Sequence, residues 1–230
     1  MKKYIIIEKL GLSPYKATWE YQQKIHNKLN SLKKDNVNGC LDLLGHLIFC
    51  EHPHVYTLGK HGNQNNLLLD KVKLSAEDIE FFNVDRGGDI TYHGPGQIVG
   101  YPIFDLYRMK LGVKDYIHKM EQAIIDMLKE YNIIATLLDG ATGVWLDIDI
   151  PDKIRKICAI GVRVSCGITM HGFALNVNTN LDYFNYINPC GFTDKKVTSM
   201  QVELGKEISM EEVKNKLQNH FIKQFGINGK

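Results

Sequence analysis

A glycine-rich stretch at residues 86–97 constrains the fold more than any other part of this sequence. It reads RGGDITYHGPGQ, with four glycines, a proline, an arginine and a histidine in twelve residues. Glycine permits positive φ and lets a ligand approach the main chain, while proline fixes a turn. The apolar run IVGYPIF follows directly. We therefore predict a loop beside a buried strand, with main-chain N–H groups available to a substrate, rather than a turn with an incidental histidine.

Three stretches carry apolar residues at the spacing of an amphipathic helix. Ser13 and Pro14 are typical of a helix start, and Ser209 with a glutamate three residues later fits a capping box. A further short helix is predicted at Ser75, which an aspartate follows at the same spacing. The three longer predicted helices are 14–32, 112–131 and 209–225.

Runs rich in β-branched and aromatic residues, separated by turn residues, predict a sheet. The run at 55–58 follows a turn at Pro53 and is expected to continue the sheet of the run before it. The polar segment 59–66 is expected to be a mobile surface loop. The predicted strands are 4–8, 40–50, 55–58, 98–104, 143–148, 157–164 and 169–177.

These elements predict one domain over residues 1–230, because no linker, repeat or shift in composition divides the chain. Strand clusters separated by single helices do not give a regular βαβ alternation. The predicted fold class is α/β of the α+β type, with helices flanking a mixed, largely antiparallel sheet.

Composition excludes several classes of protein. With 28 basic and 26 acidic residues the net charge is +2, which does not indicate a nucleic-acid partner. No stretch approaches the ~20 apolar residues of a membrane helix, and the first apolar run is too short for a signal peptide. We expect a soluble, cytoplasmic protein with no membrane partner.

The cysteines and histidines do not form a pattern typical of a metal site. The five cysteines are widely spaced and lack a CxxC pair, so reduced thiols are expected instead of disulfides or zinc. His52 and His54 form an HxH pair without a third local ligand, and we interpret them as loop histidines.

Cys190 is the thiol that most suggests chemistry, because it lies between a proline and a glycine in an irregular segment. A cysteine nucleophile works as a thiolate, so it needs a nearby cation or base. Taken alone, each cysteine is more often a small buried hydrophobe, and spacing leaves Cys158 as an alternative. The candidate activators are His93, His171, Arg155, Lys156 and Arg163. Arg86 and Asp89 could instead form a structural ion pair.

Four motifs occur in one order along the chain: RGGxxTYHxxGQxVxY from residue 86, KICAIGVR from 156, HGFALN from 171 and NPCG from 188. In sequence and order they resemble the lipoate-pathway octanoyltransferases. The resemblance implies that Cys190 is the acyl-thioester nucleophile. It also implies that Lys156 lowers the pKa of that thiol and then acts as acid and base. No cofactor or metal is implied.

The resemblance further implies a fold like that of biotin and lipoate protein ligases, with an acyl pocket formed by three segments. The implied pocket residues are Arg86, Gly87, Gly88, Asp89, Ile90, Thr91, Tyr92, His93, Ala159, Ile160, Gly161, Gly172, Phe173 and Ala174.

Members of this family move an octanoyl group from octanoyl-acyl carrier protein to a lysine ε-amine in lipoyl domains. The expected partners are therefore that carrier protein, the lipoyl domains of 2-oxoacid dehydrogenase E2 subunits, and the glycine cleavage H protein. Because such partners are commonly acidic, a basic rim would assist encounter. The candidate rim residues are Lys153, Arg155, Arg163, Lys195 and Lys196.

Four other interpretations stay open at this point. An ATP-dependent lipoate or biotin protein ligase on the same fold would need no cysteine. An acyltransferase acting between lipoyl domains would place its nucleophile elsewhere in the chain. A non-catalytic protein could sequester acyl groups or the carrier protein. A cysteine hydrolase could use Cys190 with His93 or His171 and would release free octanoate.

Overall fold

The computed structural model describes residues 3–34, 42–69, 74, 76–188 and 196–230. Within these residues the helices are α1 (Tyr15–Lys34), α2 (Leu106–Met109), α3 (Val113–Lys129), α4 (Met200–Leu204) and α5 (Met210–Phe225). The strands are β1 (Tyr4–Leu12), β2 (Leu43–Glu51), β3 (Val55–Leu58), β4 (Glu80–Asn83), β5 (Ile90–His93), β6 (Gln97–Phe104), β7 (Thr136–Leu138), β8 (Ala141–Leu146), β9 (Arg155–Ser165), β10 (Ile168–Asn176), β11 (Lys196–Val197) and β12 (Asn228–Gly229).

The strands form two sheets. In the described part of the chain the main sheet has nine strands in the order β12-β1-β2-β6-β10-β9-β8-β7, with β11 beside β9. The β12–β1, β1–β2 and β11–β9 pairs are parallel and the other pairs antiparallel. The predicted α+β fold with a mixed, largely antiparallel sheet is confirmed.

Helices cover both faces of the main sheet. Ile25 and Leu29 of α1 pack against one face, in a buried cluster with Val99 and Tyr101. The apolar sides of α3 and α5 cover the other face, where Phe221 stacks on Phe173 of β10. The three predicted longer helices are confirmed, and the Ser209 hydroxyl accepts a hydrogen bond from the Glu212 N–H group at the start of α5. None of the described helices is both long and apolar enough to cross a membrane.

The run at 55–58 does not continue the main sheet, contrary to prediction. It is the central strand of a second, three-stranded sheet, parallel to β4 and antiparallel to β5. The reason is that β2 already pairs with β1 on one side and β6 on the other, so no edge is available beside it.

The segment 59–66 is largely exposed, as predicted, and its first residues bond to the glycine-rich loop; its mobility stays a prediction. The N–H groups of Gly59 and Lys60 donate to the carbonyls of Asp89 and Arg86, at 3.2 and 3.0 Å. A 3₁₀ turn at Gln64–Asn66 follows. The short helix predicted at Ser75 begins on a residue outside the described ranges.

The strands β6 and β10 approach closely at two glycines. Gly172 has no room for a side chain, because an added Cβ would lie 2.1 Å from the carbonyl oxygen of Gly100 and 2.6 Å from Cδ of Pro102. Pro102 has no N–H group for the ladder. The Thr169 hydroxyl bonds the main chain of β6 near this proline. It donates to the Pro102 carbonyl at 2.7 Å and accepts from the Phe104 N–H group at 2.8 Å.

We predict that Gly172→Ala lowers the free energy of unfolding by about 1–3 kcal/mol, because the methyl group forces these strands apart. Urea unfolding followed by circular dichroism measures the change. Gly87→Ala is the matched control, since its added Cβ meets its nearest neighbour at 3.4 Å, an ordinary contact. That variant should change the free energy of unfolding by less than about 1 kcal/mol. Equal losses in the two variants would contradict the steric explanation.

Candidate active site

A cavity of about 530 Å³ lies where the two sheets meet. Strands β8, β9 and β10 of the main sheet form one side, and β5 with the glycine-rich loop before it forms the other. Tyr15 of α1, Ile117 of α3 and Phe184 also contribute to the walls. The volume falls within the roughly 300–1,000 Å³ typical of small-molecule sites.

Apolar side chains and glycines make up much of the wall. The apolar residues that line the cavity are Ile90, Val99, Ile117, Ala141, Trp145, Ala159, Ile160, Val162, Phe173, Ala174, Phe184 and Val197. Such a surface favours burial of a hydrocarbon, worth about 0.8 kcal/mol for each CH₂ group removed from water.

The glycine-rich loop joins the small sheet to β9 through main-chain contacts. The Gly87 N–H group donates to the Val162 carbonyl at 2.9 Å. On β9, Gly161 approaches the loop so closely that an added Cβ would lie 2.9 Å from the Gly87 carbonyl oxygen. Gly88 has a φ of 85°, a conformation that favours glycine. Gly88 and Gly161 are therefore the positions where this junction between the sheets requires glycine.

Arg86 is buried beneath the loop, with 8% of its surface exposed. Its Nη2 donates to the Thr57 carbonyl at 2.7 Å and to the Thr57 hydroxyl at 2.9 Å. Its Nη1 donates to the Gly87 carbonyl at 3.0 Å. These bonds attach the loop to β3.

Lys156 is the second residue of β9, at the end of the cavity away from Arg86 along the strand. Its Nζ lies over the ring of Trp145, 4.4 Å from the ring centroid. Lys196 of β11, the strand that pairs with this end of β9, also lines the cavity. An amine on the cavity wall can stabilise a nearby anion or exchange a proton with a bound substrate.

A buried polar cluster lines the opposite region, around Tyr15, His93 and Tyr101. His93 Nδ1 donates to Gln97 Oε1 at 2.8 Å, because the Gln97 amide nitrogen is used as a donor to Tyr92 and Asn176. Nε2 is therefore the acceptor nitrogen of this ring. Burial lowers the pKa of His93 to about 3, so the ring is neutral at neutral pH.

His52 packs next to this cluster and is fully buried. It is therefore not the ordinary loop histidine that the sequence predicted. Its Nδ1 donates to the Ser13 carbonyl at 2.6 Å, and its Nε2 accepts from the Tyr101 hydroxyl at 2.8 Å. Burial lowers its pKa to about 4. His54, the other member of the HxH pair, stacks on Tyr183.

His171 lies at the side of the cavity with φ of 58° and 2% exposure. Its Nε2 donates to Asp85 Oδ1 at 2.8 Å, and the same carboxylate pairs with Arg163. Burial lowers the pKa of His171 despite this partner, while the hydrogen bond from His171 holds the pKa of Asp85 below its usual range.

The predicted site residues come together around this cavity, with two exceptions. Tyr92 does not line it, because its hydroxyl bonds to His54 Nδ1 at 2.7 Å and its ring stacks on Tyr183. Cys190 lies outside the described residues. The predicted residues that line the cavity are Arg86, Gly87, Gly88, Asp89, Ile90, Thr91, His93, Lys156, Ala159, Ile160, Gly161, Gly172, Phe173 and Ala174.

Fewer of the predicted rim residues present an unpaired charge at the surface than the sequence indicated. Arg155 forms ion pairs with Asp147 and Glu203, and Arg163 pairs with Asp85. Lys195 lies outside the described residues. Lys153 and Lys196 are exposed.

Several lining residues were not predicted as part of a site, notably Tyr15, Tyr101 and Trp145. Their sequence signals are those of core residues: a helix stripe for Tyr15 and apolar strands for the other two. Periodicity predicts that such side chains are buried but does not identify the surface they face.

Comparison with known proteins identifies the family. Residues 14–222 match the family described as lipoyl protein ligase A/B catalytic domain. An octanoyltransferase of Christiangramia forsetii is 49% identical over 98% of this chain and 97% of its own. An octanoyltransferase of Bacteroides fragilis is 51% identical over 90% of this chain and 91% of its own.

The fold also resembles a solved structure described as a bi-partite lipoate protein ligase from Thermoplasma acidophilum. The TM-score is 0.70 at 15% identity, and the match covers 100% of this chain and 86% of the other. At this identity the likeness shows the fold alone, and it confirms the predicted lipoate protein ligase-like architecture. With the match over residues 14–222 and the near full-length identity to octanoyltransferases, the chain belongs to the lipoyl protein ligase A/B catalytic domain family and is an acyltransferase of its octanoyltransferase branch.

Proposed function

We propose that this enzyme transfers an octanoyl group from octanoyl-acyl carrier protein to the lysine ε-amine of lipoyl domains, through a thioester on Cys190. The observation that carries the proposal is sequence similarity to proteins named octanoyltransferase. The chain is 49% and 51% identical to two of them, over at least 90% of its own length and of theirs. The apolar cavity with an amine on its wall supports it, because an acyl chain and a reacting carbonyl need those two surroundings together.

In the first half-reaction the Cys190 thiolate attacks the carbonyl carbon of the donor thioester. A new C–S bond forms to Cys190, the C–S bond to the carrier breaks, and the carrier's thiolate leaves. It takes a proton from the Lys156 ammonium, which becomes the neutral amine. The Lys156 ammonium stabilises the attacking thiolate, since an adjacent positive charge lowers the pKa of a thiol. The octanoyl chain occupies the apolar cavity.

In the second half-reaction the acceptor's ε-amine attacks the carbonyl of the octanoyl-cysteine. The C–N bond forms, the C–S bond breaks, and neutral Lys156 accepts the proton that the amine loses. Arg86 is unsuited to that step because a guanidinium does not lose its proton in proteins. Two half-reactions at one site give ping-pong kinetics.

The proposed donor is an acyl carrier protein, and the proposed acceptors are lipoyl domains of 2-oxoacid dehydrogenase E2 subunits and the glycine cleavage H protein. In support, the Thermoplasma acidophilum ligase is described together with its E2 lipoyl domain. A cytoplasmic location stays a prediction from the sequence.

We predict that mixing the enzyme with octanoyl-acyl carrier protein, without acceptor or ATP, gives an octanoyl adduct on Cys190. Intact-protein mass spectrometry with peptide mapping detects the adduct, and hydroxylamine removes it because it is a thioester. Cys190→Ser should give no hydroxylamine-labile adduct. Cys166→Ser is the control, since Cys166 is an exposed free thiol in a turn, and this variant should react like the parent enzyme.

Lys156→Met should slow formation of the adduct by at least about 100-fold, the scale of a general acid–base contribution. Modification that appears only with free octanoate and ATP would assign the protein to the ATP-dependent ligases. Release of free octanoate without an acceptor would instead indicate a hydrolase.

Charge at the cavity rim generates a separate prediction. Lys196→Glu should lower kcat/KM for octanoyl-acyl carrier protein several-fold at low salt, because an acidic carrier loses an attractive charge beside the cavity. The loss should shrink as salt rises, since the Debye length falls from about 10 Å at 0.1 M to about 3 Å at 1 M ionic strength. Lys129→Glu at the far end of α3 is the charge-matched control and should leave the rate unchanged. Equal effects of the two variants would remove the proposed role of the rim.

A further inference from the structure

Trp145 and Lys156 face each other across neighbouring strands. The antiparallel register of β8 and β9 pairs these two residues directly, and both side chains line the cavity. Lys156 Nζ lies 4.4 Å from the centroid of the indole ring. A cation within about 6 Å of a ring face is attracted by the quadrupole of the ring, most strongly for tryptophan.

The indole ring is itself fixed in place. Trp145 is 1% exposed, and its Nε1–H group donates to the Ala141 carbonyl at 2.9 Å. A buried ring with its one polar atom bonded has a defined orientation. Its face is therefore a fixed surface for the amine.

On β8, Gly143 leaves space for the aliphatic part of the Lys156 side chain. At Gly143, φ is 127°, and an added Cβ would lie 3.4 Å from Lys156 Cε and 2.6 Å from the Cys158 carbonyl oxygen. The Gly143 N–H group donates to Glu121 Oε1 at 2.9 Å, which attaches this part of β8 to α3. The side chain of Lys156 thus passes beside Gly143, and its amine lies over the Trp145 ring.

We propose that Trp145 is a positioning residue for Lys156, with its indole face holding the ammonium group at the cavity wall where acyl transfer occurs. This inference rests on the proposed function of Lys156 as the partner of Cys190. A ring face attracts the ammonium form and not the neutral amine. The contact therefore favours the ammonium that stabilises the thiolate, and again the ammonium that forms when Lys156 accepts a proton from the acceptor.

Other charges near Lys156 must stay constant in a test of this contact. On the described residues that pack against this part of β9, the titratable or charged groups include Glu121, Asp147, Cys158, Lys196, Arg155 and Glu203. A substitution that alters only the electron density of the ring leaves all of them unchanged.

Fluorination of the ring provides such a substitution, because fluorine weakens the quadrupole while largely preserving the shape of the indole. The chain has two tryptophans, so Trp19→Phe leaves Trp145 as the sole site of incorporation. The single-tryptophan enzyme is prepared with tryptophan, monofluorotryptophan and trifluorotryptophan. Octanoyl transfer to a lipoyl domain is then measured, and the pKa of Lys156 is followed by NMR of isotope-labelled lysine, assigned with Lys156→Met.

We expect a graded fall in kcat/KM with fluorination, reaching about 3- to 30-fold for the trifluorinated ring. The pKa of Lys156 should fall in the same order, because the ammonium form loses its stabilising partner. Trp145→Tyr should retain more activity than Trp145→Leu. The matched control is Trp145→Phe, in which fluorination affects only Trp19, a ring that contacts Tyr15 and His171. Neither quantity should change with fluorination there.

Unchanged transfer and unchanged Lys156 titration on fluorination of Trp145 would overturn the proposal and leave the ring a packing residue. A shifted pKa with unchanged transfer would overturn the positioning role while leaving the contact intact. Both results differ from failure of the proposed function. That failure would be seen as absence of the Cys190 adduct in the parent enzyme. That failure would also remove the catalytic role of the Trp145 contact.

Discussion

The hydrogen bond from the Gly87 N–H group to the Val162 carbonyl joins the two sheets, and the shape of the cavity depends on that junction. The main chains approach so closely there that Gly161 has no room for a side chain. Buried Arg86 attaches the same loop to Thr57 of the small sheet. Contact between main chains at this point leaves the side chains on either side free to form the walls.

Arg86 and Lys156, two of the cations on the wall, have different surroundings and therefore suit different tasks. Arg86 donates to carbonyl and hydroxyl oxygens of the protein, and its guanidinium keeps its proton. Lys156 lies over an indole face on a strand at the opposite end of the cavity. The cation that attaches the loop and the cation proposed to exchange a proton thus lie at different ends of the cavity.

The sequence was sufficient to predict the elements whose signals are local. The α1 and α5 starts were recognisable from Ser13, Pro14 and Ser209, because capping depends on residues within one turn. The stretch 86–97 was predicted as a loop, and only part of it is one. Residues 86–89 form a loop, but Ile90–His93 form strand β5 because they pair with β3, and Gln97 begins β6. The motifs placed Lys156 and most of the wall residues in the set that the structure brings together.

Features that depend on tertiary pairing were not predictable in this way. Assigning 55–58 to a second sheet required knowing that β2 is paired on both edges. The contact of Trp145 with Lys156 depends on the register of β8 and β9, which includes an irregularity next to Trp145. Tyr92 was placed in the pocket by its motif, but its hydroxyl bonds to His54 and its ring stacks on Tyr183 instead.

The neutral state of the buried histidines has a consequence for how the enzyme responds to its environment. His52 and His93 have pKa values of about 4 and about 3, and that of His171 is also lowered by burial. Neither His52 nor His93 changes charge as pH moves through the neutral range. The polar region of the cavity around Tyr15, His93 and Tyr101 therefore keeps these two rings uncharged throughout the neutral range.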